Sequence, residues 1–100
     1  MKKYLVTYHG GAMPQDPEAM KQVKAAFGAW LQQAATAVVD AGAPIRAAGH
    51  VAKGTPHAPA EIGGYTILQA DSIDAAKAVL SSHPFVARGG TLQLFELLGL

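Results

Sequence analysis

Gly63-Gly64-Tyr65-Thr66-Ile67-Leu68-Gln69-Ala70-Asp71-Ser72 reads as a buried strand that runs straight into a capped helix. Alternation puts Tyr65, Ile67 and Gln69 on one face of that strand and Thr66, Leu68 and Ala70 on the other. Neither face is strongly polar, so both are expected to be covered. Asp71 and Ser72 then offer side-chain oxygens to the free N–H groups of a helix start, and Asp74 adds negative charge in the first turn.

Working outward, the helix buries Ile73, Ala76, Val79 and Leu80 and runs from Ser72 to about Ser82, where Pro84 stops it. Phe85 and Val86 form a short turn, Arg88-Gly89-Gly90 a loop, and Thr91 to Leu98 the last strand. Upstream lies a loop over Lys53 to Glu61, carrying two prolines and His57. Before it, Ile45 to Val51 reads as a weaker strand. At the start, Tyr4 to His9 is β-branched and aromatic, a strand ended by Gly10-Gly11, with a loop over Ala12 to Gln15. Asp16-Pro17-Glu18 is a helix start, with Asp as cap and Pro at the first helical position. Met20, Val23, Phe27, Trp30, Leu31, Ala34 and Val38 then form one apolar stripe, which predicts a helix of about six turns. Gly28 inside it suggests close approach by another element. Asp40-Ala41-Gly42 is expected to close this helix, with Pro44 beyond.

The order is β-α-β-β-α-β. Right-handed crossovers place both helices on one face, which leads to an α+β, ferredoxin-like fold. Its four-stranded antiparallel sheet has the order 4-1-3-2. The uncovered face carries large apolar groups whichever residues point inward, which predicts two protomers packed sheet against sheet as a homodimer.

The 100 residues make one domain, 1–100, and half of them are apolar. A net charge of +1 and scattered basic residues argue against nucleic acid as a partner. There is no cysteine, so disulfide and thiolate chemistry are excluded. No apolar run approaches the ~20 residues of a membrane span, and the opening apolar run is too short for a signal peptide, so the expectation is a cytoplasmic protein without membrane attachment. The glycine pairs fit neither a dinucleotide-binding nor a phosphate-binding loop, and no cofactor is expected.

The chain resembles the YCII-related family, in the branch also called DGPF-like, of the dimeric α/β-barrel superfamily. The matching pieces are Lys3-Tyr4-Leu5-Val6, Asp16-Pro17-Glu18, the Trp30 region, Asp40 to Pro44, Gly63 to Ile67, Ala70-Asp71-Ser72 with Asp74-Ala75-Ala76, and His83-Pro84 to Gly89-Gly90. The resemblance implies the ferredoxin-like fold and the face-to-face dimer. It also implies, for some branches, a His–Asp acid/base pair with the His on the first helix and the Asp near its end. Asp40 stands at about the Asp position, whereas Trp30-Leu31 stand where the His would be. Some relatives are associated with sigma factors, which implies a possible regulatory setting.

In this topology His9, His50, His57 and His83 map to one end of the sheet. His9 and His50 are the acid/base candidates, at the mouth of a cleft between sheet and dimer partner, with Asp40 added by the resemblance. They would sit on strands ~10 Å apart, too far to share one metal, and no HxH or HExxH spacing exists. Tyr8, Tyr65, Trp30 and His83 are the ligand-binding candidates. Each also has a structural reading: core aromatics for the first three, and for His83 a helix C-terminal residue favoured by the dipole. His57 reads as plainly exposed. Three functions follow: a small enzyme performing an elimination or isomerisation on a compact molecule, a non-catalytic ligand-binding or interaction module, and a partner in transcriptional regulation.

Overall fold

The computed structural model describes residues 1–11 and 14–99, so the loop expected over 12–15 lies partly outside the described residues. The elements are β1 (Lys2–His9), α1 (Pro17–Gln33), β2 (Val38–Pro44), β3 (Gly64–Ala70), α2 (Ile73–Leu80), α3 (Pro84–Ala87) and β4 (Thr91–Glu96). They form one antiparallel sheet in the order β2-β3-β1-β4, which is the expected 4-1-3-2 read from the other edge.

The stretch that decides the fold behaves as its pattern dictates. Thr66, Leu68 and Ala70 of β3 are buried beneath the helices, while Tyr65, Ile67 and Gln69 are half-buried on the opposite face. Ser72 caps α2 by accepting the Ala75 N–H at 3.1 Å. Asp16 occupies the cap position of α1, but only its backbone carbonyl bonds into the helix, accepting the Met20 N–H. The core joins Val6, Trp30, Ala34, Leu68 and Leu80, with Leu92 and Leu94 of β4 packed against it. Leu92 and Leu94 therefore face the helices, and Phe95 faces away from them.

The second strand lies elsewhere than its expected position at Ile45–Val51. Helix α1 ends at Gln33, and the chain returns at once as β2, beginning at Val38. Asp40-Ala41-Gly42 is thus strand, not helix end. Thr36, Val38 and Val39 favour extended backbone, and Val38 pairs with Leu68. Pairing with β3 is irregular, with register shifts on both sides of Asp40. Gly42 has φ +76°, in the left-handed region, and the Asp40 carboxylate accepts its N–H at 2.8 Å. Residues 45–63 carry no regular structure, and all but the half-buried Ile62 are exposed. Among the described residues, Gly28 has no neighbour within 4 Å of where a Cβ would stand, so no close approach to them explains it. Among the described residues no helix is long and apolar enough to cross a membrane.

Candidate functional site

One end of the sheet opens into a cavity of about 460 Å³. Its walls come from five places: the end of β1 at Tyr8, the inner face of α1 at Met20, Val23 and Phe27, the irregular part of β2 at Ala41–Pro44, the start of β3 at Gly63–Tyr65, and α3. The sequence builds each wall locally. Helical spacing puts Met20, Val23 and Phe27 on one side of α1. Gly63 and Gly64 bring β3 close to β1, where the Gly63 N–H donates to the Tyr8 carbonyl at 2.8 Å. His83-Pro84 starts α3, with Pro84 at its first position and His83 as its cap.

His83 is buried at the base of this cavity, 2% exposed. Its Nδ1 accepts the Phe85 N–H at 3.0 Å, so the neutral ring carries its proton on Nε2. Nε2–H then donates to the Tyr8 hydroxyl at 2.9 Å. Tyr8 donates to Thr66 Oγ1 at 2.8 Å, and Thr66 donates to the Ala41 carbonyl at 3.0 Å. The chain has one direction and ends on a carbonyl, which takes up no proton at neutral pH. It therefore orients groups and does not conduct protons away.

Electrostatics agree with this assignment. Burial, and secondly the charge of Arg88, lower the His83 pKa to about 4, so the ring is neutral at physiological pH. Burial also raises the Tyr8 pKa, against a smaller opposing effect of the Thr66 hydrogen bond, and Tyr8 is the neutral phenol. Aromatic rings surround the pair. Trp30 lies 4.4 Å from the His83 ring centroid, Phe27 lies 5.6 Å away, and Phe85 meets Tyr8 edge-on at 5.0 Å.

The structure brings together three of the candidates read from the sequence, since Tyr8, Tyr65 and His83 all line the cavity. Trp30 lies behind His83 in the core, 2% exposed, its indole N–H donating to the Val79 carbonyl at 3.3 Å. His83 is the N-cap of α3 rather than a residue at the C-terminus of α2, because Pro84 begins a new helix there. His9 sits on the open sheet face, with its Nε2 2.7 Å from Thr7 Oγ1. His50 lies on no strand; it and His57 are exposed in the 45–63 segment. Asp40 is exposed, tied to Gly42. None of His9, His50 and Asp40 lines the cavity. Among the described residues no cluster of three or more His, Cys, Asp or Glu side chains could hold a metal.

Two lining residues went unnoticed in the sequence, Lys24 on α1 and Arg88 after α3. Each is one of several scattered basic residues, and only the fold places them on one cavity. A helical reading of α1 with Phe27 inward does put Lys24 beside it, which is the one signal available.

The elements define a ferredoxin-like α+β protein, a four-stranded antiparallel sheet in the order β2-β3-β1-β4 with helices packed on it. Residues 3–96 match the YCII-related domain, and the chain belongs to that family. No curated protein matches the sequence significantly. Among solved structures, the chain is similar to 5-chloro-2-hydroxyhydroquinone dehydrochlorinase from Burkholderia phenoliruptrix AC1100, in complex with 2,5-dihydroxybenzoquinone. That likeness has a TM-score of 0.54 at 20% identity and covers 91% of this chain and 90% of the other. It supports the fold.

Proposed function

We propose that this YCII-related protein binds a small, flat, aromatic molecule in the cavity, with an oxygen of that molecule hydrogen-bonded to the Tyr8 hydroxyl. The observation that carries this reading is the cavity itself. Its volume of about 460 Å³ suits a small ligand, its walls include Phe27 and Phe85, and the buried Tyr8–His83 pair stands at its base. The Tyr8 oxygen accepts from His83 and donates to Thr66, which leaves one lone pair free. The Burkholderia enzyme's quinone ligand has the size and flatness such a cavity takes.

Acid catalysis requires one switch in this arrangement. As a ligand oxygen develops negative charge, the Tyr8 O–H would turn from Thr66 Oγ1 to that oxygen and give up its proton, and the His83 Nε2–H would stabilise the tyrosinate left behind. His83 has no free lone pair, so in this reading it positions Tyr8 and is not the base. Calorimetric titration with 2,5-dihydroxybenzoquinone tests the reading. Binding is expected, weakened about tenfold in Tyr8→Phe, which loses one hydrogen bond. Met20→Trp, which fills the cavity from α1, is expected to abolish binding while the protein stays folded. Absence of binding at millimolar ligand, or undiminished binding by Met20→Trp, would overturn the reading.

The same proposal includes a homodimer through the open sheet face. Ile67, Leu5 and Phe95 stand side by side across β3, β1 and β4, Phe95 is 45% exposed, and the protomer is a slab only 19 Å thick. A second sheet laid on this face would cover the row. Sedimentation should show dimers at micromolar concentration, and monomers for Phe95→Glu. A wild-type chain that sediments as a monomer at that concentration contradicts the packing.

A further inference from the structure

Among the described residues, the cavity wall carries Lys24 and Arg88 and no carboxylate. The Arg88 guanidinium lies over the Phe85 ring, 5.5 Å from its centroid, in a half-buried position. Its Nε is buried with no hydrogen-bond partner among the described residues. The ion pairs found among the described residues, Lys2–Glu96 and Lys21–Glu18, include neither Lys24 nor Arg88. A buried N–H without a partner, on a cation without a counter-charge, is costly to keep. An anion in the cavity would remove both costs.

We propose that the molecule bound in the cavity carries a negative charge, as a carboxylate or a ring oxyanion, and that Arg88 and Lys24 hold it. This deepens the cavity reading above and rests on it. The two cations belong to different elements, α1 and the end of α3, so a bound anion also ties the two walls together. The charge of Arg88 already acts on His83. The anion subsite and the Tyr8–His83 pair are therefore within electrical reach of each other. A flat molecule with an oxygen at one end and a negative charge at the other would engage both. A second anionic oxygen on the ring, as in an ionised hydroxyquinone, meets the same requirement as a carboxylate.

Pairs of isosteric probes separate charge from shape. Benzoate and benzamide have nearly the same outline, and only benzoate is charged. Calorimetry with both, at low and high salt, is to be run on the wild type, Arg88→Gln and Lys24→Gln. The wild type is expected to prefer benzoate by about tenfold or more, the gain typical of a charge-assisted hydrogen bond. Arg88→Gln should erase that preference while benzamide affinity stays level. Lys24→Gln should reduce it, and salt should weaken benzoate alone. Equal affinity for the two probes, or a preference that survives Arg88→Gln, overturns the inference and leaves the cavity reading standing. Failure of both probes to bind overturns both readings.

Discussion

Replacing Gly42 with alanine is expected to destabilise the protein by roughly 3 kcal/mol or more, the largest loss for so small a change anywhere in β2. Two causes add. The residue sits at φ +76°, a conformation an L side chain adopts only with strain. A Cβ there would also overlap the Tyr65 carbonyl, which is backbone of the central strand and cannot turn aside. Relief requires that β2 separate from β3. That would disturb the cavity wall too, because Ala41, Gly42, Ala43 and Pro44 line it and the Ala41 carbonyl terminates the hydrogen-bond chain from His83. Urea denaturation of the two proteins measures the effect. A Gly42→Ala protein as stable as the wild type would show that the close approach does not exist.

Acid is expected to remove on the order of 3 kcal/mol of stability through His83 alone. The ring's pKa is about 4 in the folded protein, against about 6.5 for an unfolded chain. Between those values the unfolded state binds more protons, so stability rises with pH across the interval. The contribution is complete above pH ~6.5 and is lost as the pH falls toward 4. Burial of the ring is the main cause, and the Arg88 charge adds to it. Carboxylates titrate in part of the same range, so the informative quantity is a difference. The free energy of unfolding of His83→Gln should vary less between pH 7 and pH 4 than that of the wild type, by about this amount. Identical pH dependence in the two proteins would place the neutral, buried histidine in doubt.

The sheet was legible in the sequence because its signals were local and agreed with one another. In β3 the alternation, the following Ser72 cap and the acidic first turn all specify one structure. β2 was misplaced because two patterns coincided. Val38 continues the apolar spacing of α1, and Gly42 with Pro44 imitates a helix stop. The residues Asp40-Ala41-Gly42-Ala43-Pro44 have little strand propensity of their own, and pairing with β3 makes them a strand. His83 was misjudged for a related reason. Proline after histidine ends one helix, yet it equally begins another, and here it does both. Tyr8 and Tyr65 were singled out as strand aromatics carrying a hydroxyl, and both line the cavity. Lys24 and Arg88 were not, since no spacing rule connects the third turn of one helix to the residue that follows another. His50 was assigned to a strand end because Ile45–Val51 was read as strand, and it lies in the exposed 45–63 segment instead.

The account turns on His83 standing neutral at the base of a ligand cavity with its Nε2–H on Tyr8. Nitrogen-15 NMR of the histidine rings, with and without 2,5-dihydroxybenzoquinone, tests this most directly. The account predicts an Nε2–H tautomer for His83 that persists down to about pH 4, and ligand-induced shifts larger at His83 than at His9, His50 or His57. An Nδ1–H tautomer, a titration at the ordinary histidine pKa, or a bound ligand that moves another histidine and leaves His83 untouched would contradict it.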